Sequence, residues 1–334
     1  MYGEFITIFI ISFFFIGGMK KLAPKWGLID IPNERSSHKQ SIPKSAGIGF
    51  ISAVFVSSPF LYPTLFSLYP WTFVAILLVF IIGILDDYYE LSPNRKFFII
   101  IIATILLSFD HIEILSVGSF NGTVWALGWL SLPFTIFAVV GFTNALNLID
   151  GLDGLSSTIS IIILATFYTI GYQNHDLFMM FIAGAFIVTL FAFLLYNWYP
   201  ASIFMGDSGS LTIGFIIAVL AVKSLAYIPA VSILYLAAVP ILDTVIVMIR
   251  RRLRGRSMVQ ADRCHVHHIM MHLFKENTPK TVLFLGLVQI LYAWCGLQIH
   301  NNLYEGTMLI LFLLHGVLLY LLLGRMLKKQ EKAC

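Results

Sequence analysis

Long apolar runs separated by short polar segments recur along the whole chain. A membrane-spanning helix needs about 20 mostly apolar residues, and eleven runs are candidates for such helices. They lie near residues 3–19, 46–62, 71–85, 97–109, 131–148, 155–172, 177–196, 211–225, 228–249, 281–300 and 306–324. The pattern predicts an all-α, polytopic integral membrane protein with about eleven transmembrane helices.

The composition also indicates a membrane protein. Of 334 residues, 59% are hydrophobic and 11% are charged, and the mean hydropathy is +0.88, whereas soluble domains carry about 25% charged residues. The first apolar run follows Glu4 with no Lys or Arg before it. Because a signal peptide begins with positive charge, this run is predicted to be a retained span with the N-terminus outside. The three scattered cysteines predict no disulfide framework.

The basic residues test this arrangement independently. With eleven spans and the N-terminus outside, the predicted inner segments hold 20 of the 21 Lys and Arg residues, and only Lys223 falls on the outer side. Cytoplasmic loops accumulate Lys and Arg, so a miscounted span would scramble this division. The C-terminus is therefore predicted to be cytoplasmic.

The stretch NALNLIDGLDGL, from Asn144 to Leu155, ends an apolar run with four polar side chains and two glycines. Asn144, Asn147, Asp150 and Asp153 recur at three-residue steps, and a straight helix would spread them around its surface. Glycine ends helices and admits turns closed to other residues. We predict a helix that unwinds just past Asn147, so that the carboxylates converge at a loop. This favours a polar site over a purely structural helix end.

Two adjacent acids end the third predicted span. Asp86 and Asp87 stand there, and Arg95 and Lys96 open the next span. Adjacent side chains point about 100° apart on a helix, which allows one acid to face a site and the other to face solvent. A solvated turn is the alternative, but acids beside a membrane-embedded helix end are costly without a partner.

Asp207 stands in MGDSGS, immediately before the eighth predicted span. Its small neighbours allow a phosphate or metal to approach backbone N–H groups and the helix N-terminus. A plain N-cap aspartate is the alternative. The other acidic helix ends on the same side favour the functional interpretation.

The ninth predicted span carries Asp243 within its apolar run. A charge at the centre of a transmembrane helix costs about 2.5–3.5 kcal/mol on insertion scales. Asp243 is therefore expected to face the bundle interior and line a cavity, and Pro240 permits a local bend.

The loop after the ninth span combines five arginines with the histidine cluster ADRCHVHHIMMH. Cys264 and His268, and His268 and His272, form i,i+4 pairs that suit zinc. A structural zinc site usually brings more thiolates, however, and the adjacent arginines disfavour a cation. Imidazoles that bind a phosphate or a polar headgroup are the favoured interpretation.

The first inner segment, Lys20 to Lys44, contains LIDIPNERSSHKQSIPKSAG. Pro32 and Pro43 restrict the backbone, so we predict an ordered loop rather than a helix. Its basic side chains fit anion binding and the positive-inside rule equally well.

Four of these patterns, taken together and in order, resemble the polyprenyl-phosphate N-acetylhexosamine-1-phosphate transferases of bacterial cell-envelope synthesis. They are DDYYEL followed by Lys96, NALNLIDGLDGL, MGDSGS and DRCHVHH. DIPNERSSH and PILDT also match, whereas Ser45-Ala46-Gly47 stands where the family tends toward a Gly-rich turn. The H-x-H-H form resembles the branch that initiates lipid-linked glycans from UDP-GlcNAc.

The resemblance implies transfer of a sugar-1-phosphate, GlcNAc-1-phosphate above others, from a UDP-N-acetylhexosamine to undecaprenyl phosphate, with release of UMP. The product would start an envelope glycan such as lipopolysaccharide or O-antigen. Mg²⁺ is the implied cofactor, with Mn²⁺ as a substitute. The implied metal ligands are Asp207 and Asn147, the catalytic acids are Asp86, Asp87, Asp150 and Asp153, and the substrate-binding residues are Lys96, Asn144, Arg263, His265, His267 and His268.

A single membrane domain over residues 1–334 is predicted, with cytoplasmic loops near 20–45, 86–96, 149–154, 197–210 and 250–280. Its place is the bacterial cytoplasmic membrane, with the site on the cytoplasmic face. Both substrates and the lipid bilayer are the expected partners; a homodimer is compatible, and a nucleic acid is not expected. A transporter with an inner-face polar site is the main alternative, but transporter sites lie near the bilayer midplane. A non-catalytic scaffold would not need these acids.

Overall fold

A computed structural model describes residues 2–32, 41–120, 122–255, 265–299 and 305–328. Fourteen α-helices make up most of these residues. They are α1 (Tyr2–Leu22), α2 (Ala46–Leu61), α3 (Pro63–Leu68), α4 (Pro70–Tyr89), α5 (Pro93–Ser108), α6 (Ser131–Ile149), α7 (Leu155–Gln173), α8 (Leu177–Asn197), α9 (Asp207–Ser224), α10 (Ala230–Leu236), α11 (Ala238–Leu253), α12 (Val266–Leu273), α13 (Thr278–Leu297) and α14 (Glu305–Lys328).

Most of the helices are long and apolar enough to cross a membrane. Within the described ranges eight helices meet this condition, and nine do if the bent pair α10–α11 counts as one span. Each of the eleven predicted spans overlaps a helix or this pair, which confirms a mostly helical, multi-pass membrane protein. Helices α2 and α5 have 16 residues each, fewer than the roughly 20 that a span requires. The number eleven therefore stays a prediction.

Two small antiparallel sheets correct the all-α expectation. β1 (Ile29–Asp30) pairs with β2 (Ile42–Pro43), and β3 (Ser116–Phe120) pairs with β4 (Thr123–Ala126). The first sheet and a 3₁₀ turn at Ala23–Trp26 support the predicted ordered loop, although residues 33–40 lie outside the described ranges.

We call the end of the bundle that carries Asp86, Asn147 and Asp207 the acidic end, and the end that carries β3 and β4 the hairpin end.

Paired polar side chains lie at the hairpin end. Asp176 is the N-cap of α8 and accepts a hydrogen bond from Tyr227 Oη at 2.9 Å. Its carboxylate also lies 3.3 Å from Lys223 Nζ, which stands 5.0 Å from the centre of the Tyr69 ring. Lys223 is the basic residue that the predicted topology places on the outer side, and the Asp176 carboxylate compensates its charge there.

Helix α9 forms the centre of the bundle and is buried along almost its whole length. It packs against α4, α6, α7, α2 and α8. Its first residue, Asp207, therefore lies among the ends of several other helices. This position brings residues from distant parts of the sequence together at the acidic end.

The ninth predicted span is broken by an 86° bend between α10 and α11. Pro240 has no N–H to donate to the carbonyl of Leu236, four residues earlier. Gln289 of α13 replaces the missing contacts, because its Nε2 donates to Leu236 O at 2.7 Å and its Oε1 accepts from Val239 N at 3.0 Å. Non-helical backbone in a membrane protein needs such internal partners. The bend expected near Pro240 is confirmed, and it aims α11 at the acidic end.

We expect Cys264 and Cys334 to be cytoplasmic, because the charge division places both on the inner side. A membrane-impermeant thiol reagent applied to intact cells should leave both unmodified in a Cys295→Ser background, and should label both after the cells are opened. Thr123→Cys, in the exposed strand β4, is the positive control and should react in intact cells. Labelling of Cys264 or Cys334 before lysis would mean that a span has been miscounted.

Candidate functional site

Asp87, near the end of α4, holds the start of α9. Its Oδ1 accepts from Asp207 N at 2.7 Å and its Oδ2 accepts from Ser208 N at 3.1 Å. The first N–H groups of a helix have no partner within the helix, and the partial positive charge there favours a carboxylate. Asp86 and Asp87 are 4% and 5% exposed. The expectation that one of them faces solvent is wrong, since each has partners inside the protein.

Glycine allows this close approach of α4 and α9. A Cβ on Gly83 would lie 2.5 Å from Ser208 Cα, which is too close for any side chain. Gly206 has φ = +75°, a left-handed conformation that favours glycine, and a Cβ there would lie 2.8 Å from both Asp87 carboxylate oxygens. The small residues of MGDSGS therefore serve helix contact and the binding of Asp87.

Asp86 and Asp207 share one cation. Lys96, on α5, donates from Nζ to Asp86 Oδ2 at 2.7 Å, and the same nitrogen lies 3.5 Å from Asp207 Oδ2. The other oxygen of Asp86 accepts from Leu91 N at 2.7 Å. The ammonium is partly exposed, so it bridges the two carboxylates at the surface of the acidic end.

Asn147, near the end of α6, completes this group. Its amide nitrogen donates to Asp207 Oδ1 at 2.6 Å and to Ser210 Oγ at 2.8 Å. The amide nitrogen is the donor in both hydrogen bonds, and the amide oxygen takes part in neither. Asn147 and Asp207 thus present side-chain oxygen atoms at one place.

The turn between α6 and α7 begins close to the place that the sequence indicates. Helix α6 ends at Ile149, two residues beyond the predicted unwinding, and Asp150 follows. Asp153 accepts from Ala201 N at 2.9 Å, and Asn197 Oδ1 accepts from Gly154 N at 2.9 Å. The turn is therefore tied to the segment that precedes α9.

Asp150 lies in the turn beside the other carboxylates. Burial, followed by the negative charges of Asp207, Asp87 and Asp153, raises the pKa of Asp150 from 3.8 to about 7. A hydrogen bond with Ser156 opposes this shift. At neutral pH this side chain is partly protonated, and its ionisation adds to an already negative site.

The raised pKa of Asp150 predicts a pH-dependent stability. The folded state binds one more proton than the unfolded state between about pH 4 and pH 7, so the contribution of Asp150 to the free energy of unfolding falls as pH rises through this window. In EDTA, the melting temperature of Asp150→Asn relative to wild type should rise by at least about 2 °C between pH 5 and pH 8. Asp150→Glu keeps a titrating group and should follow wild type. A constant offset between Asp150→Asn and wild type would contradict the prediction.

A second polar group stands beside this turn. Asp243 of α11, His265 and His267 are buried, and one ligand-type atom of each lies within 4.8 Å of the others. His267 Nε2 would lie 2.9 Å from a Cβ on Gly151, so the imidazole reaches the turn that carries Asp150. The two polar groups are neighbours.

This arrangement differs from the zinc pattern considered from the sequence. His272 faces away and lies 2.6 Å from the exposed Glu276, while Cys264 lies outside the described residues. The three groups that do cluster include Asp243, which belongs to another helix. The i,i+4 spacing therefore did not indicate the correct partners.

Most of the remaining candidates can also be located. Asn144 is half-buried on α6, and within the described ranges no hydrogen bond joins it to the carboxylates. His268 contacts His267 with ring centres 4.3 Å apart, and Arg263 lies outside the described residues. The sequence interpretation missed Ser210 and Asn197, since a serine within a helix and an asparagine at a helix end carry no distinctive pattern.

The charge balance at the acidic end suits a divalent cation. The Lys96 ammonium contacts the carboxylates of Asp86 and Asp207. Asp87 is held by backbone N–H groups, and Asp150 adds a further carboxylate whose pKa is raised by burial and by the charges of Asp207 and Asp87. Hard cations prefer carboxylate and amide oxygens. Asp207 and Asn147 offer both kinds of oxygen at the partly exposed surface.

Comparisons with known proteins cover nearly the whole chain. The sequence model of glycosyl transferase family 4 matches residues 69–225. This range includes Asp86, Lys96, Asn147 and Asp207. The chain is 32% identical over 309 residues to a probable undecaprenyl-phosphate N-acetylglucosaminyl 1-phosphate transferase of Bacillus subtilis (strain 168), covering 89% of this chain and 84% of that protein. Undecaprenyl-phosphate alpha-N-acetylglucosaminyl 1-phosphate transferases of Yersinia pestis and Escherichia coli (strain K12) are 31% and 30% identical, covering 95% and 93% of this chain and 89% and 88% of those proteins.

Proposed function

Because the chain belongs to glycosyl transferase family 4, we propose that it transfers N-acetylglucosamine 1-phosphate from UDP-N-acetylglucosamine to undecaprenyl phosphate and releases UMP. The proposal depends mainly on one observation, the group of Asp86, Lys96, Asn147 and Asp207 at the ends of apolar helices. One substrate is a lipid and the other is soluble. A polar site at the membrane boundary is where the two can meet.

In this proposal the chain lies in the bacterial cytoplasmic membrane with the acidic end on the cytoplasmic side. The division of Lys and Arg residues, 20 against 1, supports this orientation. It also supports eleven spans, with α2 and α5 as short ones. The nucleotide sugar then reaches the site from the cytoplasm, and the lipid phosphate reaches it from the inner leaflet.

Mg²⁺ is the proposed cofactor, held by Asp207 and the side-chain oxygen of Asn147. When bound, it supplies positive charge against the phosphate oxygens of both substrates. Two unit charges 4 Å apart interact by about 4 kcal/mol at an effective dielectric of 20, so several repelling phosphate oxygens need such compensation. The surplus of carboxylates over cations at the site is consistent with this ion.

The protein's own residues supply position and charge. Lys96 Nζ neutralises a phosphate oxygen, and Asp86 sets the position of that ammonium. Asp87 fixes the start of α9 and thus places Asp207. Asp150 and Asp153 shape the nucleotide side of the site, with His265, His267 and His268 facing the diphosphate or sugar. Phosphoryl transfer depends mostly on such positioning and charge neutralisation.

The test of this function is an assay of UMP release by the purified protein. We expect release that requires UDP-N-acetylglucosamine, undecaprenyl phosphate and Mg²⁺ together, with a lipid-linked product in equal amount. A transporter or a scaffold would release no UMP. Release without the lipid acceptor would indicate hydrolysis and contradict the proposal.

The proposed chemistry is a single step, in which the lipid phosphate attacks the β-phosphorus and UMP leaves. A phosphate monoester has lost most of its second proton at neutral pH, since its pKa is about 6, so it is already a competent nucleophile. An attacking aspartate would bring a further negative charge against the diphosphate. A covalent phospho-aspartyl intermediate is the alternative.

Isotope exchange distinguishes these mechanisms. Delipidated enzyme incubated with labelled UMP, UDP-N-acetylglucosamine and Mg²⁺ should form no labelled nucleotide sugar, because without the acceptor no UMP is released. Undecaprenyl phosphate added to the same mixture should start the exchange, and this is the control for active enzyme. Strong lipid-independent exchange would make Asp86 or Asp87 the candidate nucleophile.

A further inference from the structure

Asp243 joins a membrane helix to the histidine motif. It belongs to α11, is 2% exposed, and contacts three residues more than twenty positions later in the chain. Val266 N donates to Oδ1 at 2.5 Å and His265 Nδ1 lies within hydrogen-bond distance of Oδ2, at 3.0 Å. His267 Nδ1 lies 3.4 Å from the same oxygen, in a charge contact outside hydrogen-bond geometry. Both carboxylate oxygens therefore bind the beginning of α12.

The two nitrogens of His267 face different partners. Nδ1 faces Asp243, while Nε2 lies 2.9 Å from the position that a Cβ would take on Gly151. Gly151 is exposed and directly follows Asp150 in the turn between α6 and α7. The imidazole thus connects the buried carboxylate of α11 with the open side of the acidic end.

A carboxylate at Nδ1 determines what Nε2 can do. A neutral imidazole carries one proton, and an acceptor at one ring nitrogen keeps the proton there. The Asp243 carboxylate lies 3.4 Å from Nδ1 of His267 and its negative charge favours the proton on that nitrogen, so Nε2 keeps its lone pair toward the turn. The same carboxylate also stabilises the ring after Nε2 has gained a proton. Carboxylates behind functional histidines elsewhere fix tautomer and ring orientation in this way.

We propose that Asp243 is a positioning residue for the transfer reaction, which orients His265 and His267 at Nδ1 so that His267 Nε2 faces the transferred sugar phosphate. This inference rests on the proposed function, and it assigns to Asp243 a role in the reaction beyond the cavity-lining position expected from the sequence. It also gives a reason for a carboxylate buried in an apolar helix, where a charge is otherwise costly.

Asp243→Asn is the informative substitution, because it keeps the shape and one acceptor oxygen for Val266 N. Its NH₂ group faces His265 and His267 and favours the proton on Nε2 instead. We expect kcat to fall about 10–100-fold, with a smaller change in the dissociation constant of UDP-N-acetylglucosamine. Asp176→Asn, which removes a carboxylate at the hairpin end, is the matched control and should retain wild-type activity.

A double-mutant cycle separates positioning from a structural role. If Asp243 acts through His267, then Asp243→Asn/His267→Gln should have nearly the kcat of His267→Gln alone, because the second change has nothing left to orient. If Asp243 only stabilises the fold, the two effects on kcat should multiply or Asp243→Asn should lower the melting temperature alone. Either result would overturn the inference.

The tautomer itself gives a readout that needs no activity. In protein with ¹⁵N-labelled histidine, His267 should show its proton on Nδ1 in wild type and on Nε2 in Asp243→Asn, with His267→Gln identifying the signal. An unchanged tautomer would overturn the inference. The inference would also be overturned if the wild-type protein held one zinc ion per chain and Asp243→Asn lost it, since Asp243 would then be a metal ligand. An inactive wild type with the expected tautomers would contradict the proposed function and leave this orientation standing.

Discussion

Asp207→Asn should lower turnover at least about 10³-fold while the protein still folds. The substitution keeps the size of the side chain and an oxygen that can accept from Asn147, but it removes the charge that a hard divalent ion needs. The backbone N–H of residue 207 still donates to Asp87, so the start of α9 is retained. UMP release and thermal unfolding measure the two parts of this prediction.

Metal binding provides a second readout for Asp207. Mn²⁺ titrated into the protein without substrates should bind to wild type and much more weakly to Asp207→Asn, as followed by its electron paramagnetic resonance signal. Asp176→Asn, at the opposite end of the bundle, should bind Mn²⁺ and turn over like wild type. Near-normal UMP release by Asp207→Asn at ordinary Mg²⁺ concentrations would refute the assignment of the metal ligand.

Lys96→Met should lower kcat/KM about 10²–10³-fold. Lys96 Nζ lies 2.7 Å from Asp86 and 3.5 Å from Asp207, so its loss leaves both carboxylates without this cation and removes positive charge from the substrate phosphates. Lys96→Arg keeps the charge and should recover part of the activity. A steady-state assay over a range of both substrate concentrations measures the effect.

Lys223→Met is the matched control for Lys96. Lys223 also pairs with an aspartate, at 3.3 Å, and is buried to a similar degree, 19% exposed against 18% for Lys96, but it lies at the hairpin end. Its loss should leave kcat/KM within about threefold of wild type, since partly exposed ion pairs contribute little to stability. Equal losses in both variants would indicate that Lys96 acts only through the fold.

The acidic residues show how far sequence interpretation reaches. Asp86, Asp150 and Asp207 all stand at ends of apolar runs, and a carboxylate is costly in such a place unless a partner compensates it. That cost predicts that the acids share a site. It does not predict the partners, because hydrogen-bond partners depend on which helices meet. Asp87 is an example, since its two oxygens accept from the first N–H groups of α9, and no pattern within α4 indicates that partner.

The sequence by itself determined the class of protein, the positions of the long apolar helices and the residues that carry charge into apolar surroundings. These follow from local properties, namely the length of apolar runs, the division of basic residues and the positions of Gly and Pro. Only the tertiary structure decided which of these residues meet. Asp243 and His267 are 24 positions apart (267 minus 243), and their contact depends on an 86° bend in the ninth span and on Gln289, which satisfies the backbone at that bend. A contact of this kind depends on the relative placement of α11, α12 and α13, and that placement is set by packing between helices rather than by any pattern within one of them.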